Sequence, residues 1–187
     1  MVQLYNILKN GYSKKKQQQY DGYVLDNKLS NHNNQVYYNN LNNKMIMNVN
    51  GTNSFSDWGT DAALIFGGLK LTNRYLDSER ILKDARSKYR PKNVSLTGHS
   101  LGSKIVSLIA SKGAGDKVIT LDGAYTGQRI NNNERAYRTS GDIVSTLNGN
   151  SKHMTTLINP HIQTESSLVN MLNSHNIQNI KNDKIFV

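Results

Sequence analysis

The sequence has 187 residues and no cysteine, a length that fits one domain with a sizeable hydrophobic core. The absence of cysteine excludes disulfides, thiolate metal sites and cysteine nucleophiles. A formal net charge of +10 predicts attraction to polyanions, either nucleic acids or anionic phospholipid surfaces.

The first residues predict a short helix. Apolar side chains from Val2 to Leu8 recur at near-helical spacing, and Gly11 is a typical helix end. The charges of this segment follow its apolar part, and no small-residue cleavage site is present, so we expect no secretory signal. No run of about 18 apolar residues occurs, which argues against a membrane-spanning helix.

An asparagine-rich stretch then predicts a β-hairpin. Gln35 to Tyr38 and Lys44 to Val49 are strand-like. Between them lie Asn39 to Asn43, whose side chains favour turns and left-handed backbone conformations. The hairpin leads into Gly51-Thr52.

Helix and strand patterns alternate along the rest of the chain. A helical pattern covers Ser78 to Tyr89 and ends before Pro91. Further strands are predicted over Val94 to Thr97, Lys117 to Leu121, Ala136 to Ser140 and Met154 to Ile158, with a helix over Leu101 to Ser111. This order predicts one α/β domain over residues 1–187, with a mostly parallel sheet flanked by helices and sites at the carboxyl ends of the strands.

The clearest motif lies where a predicted strand meets a predicted helix. The stretch NVSLTGHSLGSKIVSLIA, Asn93 to Ala110, contains Gly98-His99-Ser100-Leu101-Gly102, which matches the strand-turn-helix context of a G-x-S-x-G nucleophile elbow. The sharp turn needs glycine at both flanks. Ser100 would then stand at a helix N-terminus, where the Leu101 N–H faces a developing oxyanion. The alternative is a helix-capping serine.

A serine nucleophile needs a histidine base that is paired with an acid. Asp142 is the preferred acid because it ends a later strand of the predicted sheet. Asp122, which ends the strand beside that of Ser100, is the alternative. Asp116 begins a strand and therefore lies at the wrong end of the sheet. In the chain order of an α/β-hydrolase the base follows the acid, which leaves the histidines at positions 153, 161 and 175.

Three blocks of the sequence resemble the class 3 (fungal-type) lipase family of α/β-hydrolases. They are GTNSFSDWGTD from Gly51 to Asp61, TGHSLG from Thr97 to Gly102, and GDIV from Gly141 to Val144. The resemblance covers about residues 35 to 180 and implies an α/β-hydrolase fold and ester hydrolysis. The family often has Phe-Arg before Gly-Thr, whereas Val49-Asn50 stands here, so an arginine anchor is missing.

The same resemblance implies roles for residues outside the elbow. Thr52 would provide an oxyanion contact through its backbone N–H and hydroxyl, and Leu101 would provide the second N–H. The segment from Phe55 to Leu71 would be an amphipathic lid that opens at a lipid surface.

The resemblance also bears on the choice of base. The segment NSHNIQNI, Asn173 to Ile180, is similar to the N-x-H-S-(I/L)-x-N-F ending of compact lipase-like proteins of large DNA viruses, which favours His175. His161 directly follows the last predicted strand, where geometry alone would place the base. It is the first alternative, and His153 is the second.

The sequence therefore predicts a serine esterase or lipase that hydrolyses acyl esters of lipids, either triglyceride or phospholipid, without a cofactor or metal. The positive charge favours an anionic phospholipid surface. The lack of a basic motif interleaved with aromatic residues argues against nucleic acid. The alternative is a catalytically inactive lipase-fold protein with a structural or virion-associated role. The sequence does not fix the location of the protein, and the expected lack of a secretory signal fits the cytoplasm, or a virion if the source is viral.

Overall fold

A computed structural model describes residues 4–52, 69–123, 125, 130–142, 144, 154–157 and 175–177. Within these residues eight strands form one sheet, in the order β1 to β8, and helices pack on it. The strands are β1 (Gln19–Tyr20), β2 (Tyr23–Leu25), β3 (Asn34–Asn39), β4 (Lys44–Val49), β5 (Asn93–His99), β6 (Lys117–Leu121), β7 (Glu134–Thr139) and β8 (Met154–Leu157). The helices are α1 (Leu4–Gly11), α2 (Leu69–Tyr89) and α3 (Leu101–Ser111).

The sheet changes from antiparallel to parallel at β4. Neighbouring strands from β1 to β4 run antiparallel, and those from β4 to β8 run parallel. The parallel register pairs Val49 with Gly98, and His99 with Leu121, so the carboxyl ends of β4, β5 and β6 lie at one edge. This confirms the predicted mostly parallel α/β sheet with its N-terminal β-hairpin, β3–β4. The β1–β2 hairpin is an addition that the sequence patterns did not predict.

Both faces of the sheet are covered, which explains the near-continuous apolar runs of the central strands. Along β4, Met45 and Met47 pack into the cluster that α2 and α3 cover, whereas Ile46 between them packs into a second cluster on the other face. Side chains alternate between the two faces of a strand. A strand covered on both faces is therefore apolar at successive positions.

Helix α1 covers the second face. Leu4 and Leu8, one helical turn apart, pack with Ile119 of β6 and with Ile177. The last carbonyl of the helix, that of Gly11, accepts a hydrogen bond of 2.7 Å from the Lys16 ammonium, which covers the negative end of the helix dipole. The N-terminal segment is thereby fixed to the strands that lead into the predicted site.

Helix α2 is longer than its sequence pattern. It begins at Leu69 and not at Ser78, so the last three residues of the predicted lid, 69 to 71, belong to this helix. The remainder of that lid, residues 55 to 68, lies outside the described residues. Although α2 has 21 residues, no helix in the described part of the chain is apolar over a stretch long enough to cross a bilayer.

Candidate active site

Ser100 occupies a sharp turn between β5 and α3. Its backbone has φ 57° and ψ −125°, a left-handed conformation that costs a residue with a side chain about 1 to 3 kcal/mol. A Cβ at Gly98 would lie 2.6 Å from the carbonyl carbon and oxygen of Gly102, and one at Gly102 would meet the Val49 carbonyl. The turn therefore has the backbone of a nucleophile elbow, and both flanking glycines are required by close backbone contacts.

The Ser100 hydroxyl is buried, but it does not cap helix α3. The residue is 2% exposed, and its side chain makes no capping hydrogen bond to helix α3. Within the described residues, its Oγ has no hydrogen-bond partner. The helix-capping interpretation is therefore wrong, and the oxygen lies at a helix N-terminus that favours negative charge.

A histidine and a carboxylate are paired in the buried interior. Nδ1 of His175 lies 2.5 Å from Oδ1 of Asp142, and the two residues are 1% and 0% exposed. Asp142 follows β7, and its backbone N–H donates to the Thr139 carbonyl at 3.1 Å. Of the three candidate bases, the structure brings His175 to this carboxylate, while His153 and His161 lie outside the described residues.

The His175 segment packs against the end of the strand that carries the elbow. Nε2 of His99, the residue before Ser100, lies 3.1 Å from the backbone carbonyl oxygen of His175. The two imidazole rings are 4.9 Å apart between centroids. The segment thus reaches the carboxyl end of β5, which is where a base for Ser100 is needed.

The other two candidate acids have different partners. Asp122 follows β6, and its carboxylate accepts hydrogen bonds from the backbone N–H of Thr139 at 2.5 Å and from its hydroxyl at 2.8 Å. Burial, together with the charge of Asp142, raises the pKa of Asp122 well above its ordinary value. Asp116 accepts the Val94 N–H at 2.6 Å, at the start of β5 and so at the opposite edge of the sheet. Asp142 is therefore the acid that contacts the histidine.

The Gly51-Thr52 loop lies directly against the elbow. A Cβ at Gly51 would be 2.7 Å from the Cβ of Ser100, so only glycine permits this approach. The Thr52 hydroxyl is buried and has no hydrogen-bond partner within the described residues. Leu101 is fully buried at the first position of α3, where helix N–H groups have no carbonyl partner inside the helix. This arrangement fits an oxyanion site between the loop and the helix.

Two residues that the sequence analysis missed hold this loop. The Tyr12 hydroxyl accepts a 2.5 Å hydrogen bond from the Gly51 N–H. A guanidinium N–H of Arg74, on α2, donates to the Asn50 carbonyl oxygen. Arg74 therefore anchors the loop through its guanidinium, although asparagine and not arginine stands at position 50. Neither residue belongs to a sequence motif. Each is distant from the loop along the chain, and only folding brings it into contact.

A cluster of possible metal ligands at this site is explained by hydrogen bonding. His99, Asp122 and His175 each bring one nitrogen or carboxylate oxygen to within 4.8 Å of the others. Both ring nitrogens of His99 are hydrogen-bonded, one to Tyr12 and the other to the His175 carbonyl. Nδ1 of His175 contacts Asp142. We therefore assign no metal to the cluster.

Comparison with solved structures identifies the fold. The structure is similar to that of Lip2 lipase from Yarrowia lipolytica, at 15% identity over 91% of this chain and 89% of that one, with a TM-score of 0.57. A fungal lipase gives 14% identity, coverages of 88% and 81%, and a TM-score of 0.58. A mutant of MDLA from Penicillium cyclopium gives 13% identity over 90% of this chain and 82% of that one, with a TM-score of 0.57. No family model matches the sequence, and no curated protein does.

At identities this low, the likeness establishes the fold and nothing finer. The chain has the lipase-like α/β-hydrolase fold of these fungal enzymes.

Proposed function

We propose that this protein is a serine esterase of the lipase type, which hydrolyses acyl esters of lipids. The observation that carries the proposal is the buried 2.5 Å contact between His175 and Asp142, in a segment that packs against the residue preceding Ser100. The fold shared with fungal lipases supports the same reaction class. The catalytic residues would be Ser100, His175 and Asp142.

In the first half of the reaction, Oγ of Ser100 attacks the ester carbonyl carbon while Nε2 of His175 takes the hydroxyl proton. Asp142 accepts the hydrogen bond from Nδ1–H, which fixes the ring tautomer and stabilises the imidazolium that forms. The oxyanion receives hydrogen bonds from the N–H groups of Leu101 and Thr52 and from the Thr52 hydroxyl.

In the second half, the ester is cleaved and the enzyme is restored. The tetrahedral intermediate collapses, and the alcohol leaves with the proton that His175 returns to it. A water molecule then gives a proton to the same imidazole and attacks the acyl carbon bound to Ser100. The bond between the acyl carbon and Oγ then breaks as His175 returns the proton to Oγ, which regenerates the serine hydroxyl and releases the fatty acid as the second product, after the alcohol.

The proposed substrate is a triglyceride or a phospholipid. A net charge of +10 would hold the protein at an anionic phospholipid surface. Because Ser100 is only 2% exposed, a substrate needs an opening movement of the surrounding chain before it can reach the hydroxyl. A lid over residues 55 to 71, expected from the sequence, would supply such a movement.

The test combines covalent labelling with product release. The folded protein is treated with a fluorophosphonate probe, and fatty acid release is measured from short-chain nitrophenyl esters and phospholipid vesicles. Ser100→Ala should abolish labelling and activity. His175→Ala should lower kcat by about 10³-fold or more, because the nucleophile loses its base. His161→Ala is the matched control and should keep wild-type activity.

Other outcomes contradict the proposal in distinguishable ways. Activity that survives Ser100→Ala refutes the serine mechanism. Loss confined to His161→Ala would transfer the role of base from His175 to His161. A folded wild-type protein that neither labels nor hydrolyses would instead identify a catalytically inactive lipase-fold protein with a structural or virion-associated role.

A further inference from the structure

A continuous chain of hydrogen bonds runs from the Gly51-Thr52 loop to the His175 segment. The Gly51 N–H donates to the Tyr12 hydroxyl at 2.5 Å, and this hydroxyl lies 2.8 Å from Nδ1 of His99. On the other side of the ring, Nε2 of His99 lies 3.1 Å from the His175 carbonyl oxygen. The chain therefore joins the loop beside Ser100 to the segment that carries His175.

The donors and acceptors of this chain allow only one arrangement. The His175 carbonyl can only accept, so Nε2 of His99 must carry the proton. Burial lowers the pKa of His99 well below its usual value, and the neighbouring His175 lowers it further, so the ring is neutral. In a neutral imidazole Nδ1 then accepts, and the Tyr12 hydroxyl donates to it. With this one assignment of protons, each donor in the chain of hydrogen bonds has an acceptor.

Helix α1 holds both ends of the same arrangement by packing. Tyr12 directly follows this helix, and its ring packs with that of His99 in an edge-on contact of 5.5 Å between centroids. Leu4 and Leu8 of the helix pack in the same cluster as Ile177, two residues beyond His175. The N-terminal segment therefore contacts the base segment through an apolar cluster as well as through hydrogen bonds.

From these contacts we propose that Tyr12 and His99 are positioning residues, which fix the separation between the oxyanion loop and the catalytic base. Neither touches the reacting atoms. Their effect rests on the proposed esterase function, and it arises because His99 holds the backbone of His175 while Tyr12 holds the backbone of Gly51. A shift of about 1 Å in a catalytic group lowers the rate by about 100-fold.

Three substitutions separate positioning from simple stability. Tyr12→Phe removes the hydroxyl that joins Gly51 to His99, and His99→Met removes both ring nitrogens. Each should lower kcat by about 10- to 100-fold and leave KM within about twofold. His99→Gln keeps one acceptor and one donor at similar spacing, so it should retain more activity than His99→Met. The double variant Tyr12→Phe/His99→Met should lose no more than the worse single one, since both break the same chain.

Tyr37→Phe is the matched control. Tyr37 is fully buried, and its hydroxyl accepts a 2.6 Å hydrogen bond from Asn10 but has no bond to His99 or to the oxyanion loop. It should lose stability comparably and keep kcat. Equal kcat for Tyr12→Phe and wild type, or His99→Gln no better than His99→Met, would overturn the positioning role.

A second measurement is independent of activity. In ¹⁵N-labelled wild-type protein, the His99 ring should show the neutral Nε2–H tautomer at pH 7, and Tyr12→Phe should change the ¹⁵N shifts of both His99 and His175. A protonated or Nδ1–H ring, or an unchanged His175, would refute the inference even in an inactive protein. An inactive wild type with the expected shifts would refute the esterase function and leave the structural coupling in place.

Discussion

Ser100 is held in a backbone conformation that its own side chain disfavours. Its φ of 57° lies in the left-handed region, and neighbouring hydrogen bonds keep it there. The Ser100 N–H donates to the Leu121 carbonyl at 3.0 Å, and the Ser100 carbonyl accepts from the Ser103 N–H at 3.0 Å. Strain of this kind persists only where the surrounding structure enforces it. The elbow is therefore a rigid feature of the fold.

Gly98→Ala tests how tightly the elbow is packed. The added Cβ would lie 2.6 Å from the backbone of Gly102, and backbone atoms cannot give way as a flexible side chain can. We expect a loss of about 2 kcal/mol or more in the free energy of unfolding. Urea denaturation, followed by far-UV circular dichroism, measures this loss.

Gly113→Ala is the control for that substitution. Gly113 has φ +82°, but nothing lies within 4 Å of its added Cβ. Its loss should be limited to backbone strain of about 1 kcal/mol. If Gly98→Ala costs no more than Gly113→Ala, the close contact at the elbow is not a determinant of stability.

At the scale of single residues, part of the site could be predicted. Ser100 could be predicted as the candidate nucleophile because a strand pattern, two glycines and a helix pattern surround it. Asp142 could be predicted as the candidate acid because it follows a predicted strand. The preference for His175 as the base depended on the lipase resemblance. Tyr12 and Arg74 could not be found, because their partners lie 39 and 24 residues away along the chain and no local pattern records such an approach.

One contact that joins the end of α2 to the antiparallel part of the sheet centres on a single carboxylate. Asp26, directly after β2, accepts hydrogen bonds from the Lys88 ammonium at 2.5 Å and the Tyr89 hydroxyl at 2.7 Å. It also accepts from the backbone N–H groups of Lys28 and Leu29. Burial alone would raise the pKa of Asp26, but these hydrogen bonds lower it to about 2. The end of α2 is thereby fixed to the sheet.

This contact predicts a loss of stability in acid. An acid whose pKa is lower in the folded than in the unfolded chain stabilises the fold at higher pH, with the full effect above its ordinary value of about 3.9. The contribution is lost as the pH falls from about 4 towards 2. After allowance for screening by solvent, we expect about 1 to 2 kcal/mol. Urea denaturation between pH 6 and pH 2 should show that Asp26→Asn flattens this part of the stability curve.

Asp84→Asn is the matched control, because among the described residues that carboxylate forms only an exposed ion pair, with Arg80 at 3.6 Å. It should leave the pH dependence of stability close to that of wild type. If Asp26→Asn lost stability in acid as steeply as wild type does, the loss would come from other carboxylates.

At the scale of elements, the regular segments with strong patterns were predictable. β4, β6 and α3 have the predicted bounds because their apolar residues match the period of a strand or a helix. β1 and β2 were missed since segments of two and three residues show no period. The first turns of α2 were missed because the apolar run before them, with Gly67 and Gly68, was interpreted as part of a lid.

At the scale of the whole molecule, the net charge bears on the substrate surface that we propose. The protein carries a net charge of +10, and its candidate site lies at the carboxyl edge of the parallel strands, where β4, β5 and β6 end. Long-range attraction to an anionic surface would raise the local concentration of a lipid substrate.

Vesicle binding tests this attraction separately from hydrolysis. Ser100→Ala, which should bind without cleaving, is mixed with vesicles of phosphatidylglycerol or of zwitterionic phosphatidylcholine, and co-sedimentation is measured. Binding to phosphatidylglycerol should weaken by about tenfold or more between 0.05 M and 0.5 M salt, because exposed charges are screened. Phosphatidylcholine vesicles are the control, and equal, salt-independent binding to both would exclude an electrostatic role.

The candidate site is assembled from parts that are far apart in the sequence. Tyr12 and His99 are separated by 87 residues, and His99 and His175 by 76. Because a ribosome makes the chain from its N-terminus, the elbow serine emerges long before the histidine that would activate it. On the proposed mechanism, the Ser100 hydroxyl would therefore stay unreactive during synthesis, and reactivity towards esters would arise only when the last of these segments has docked.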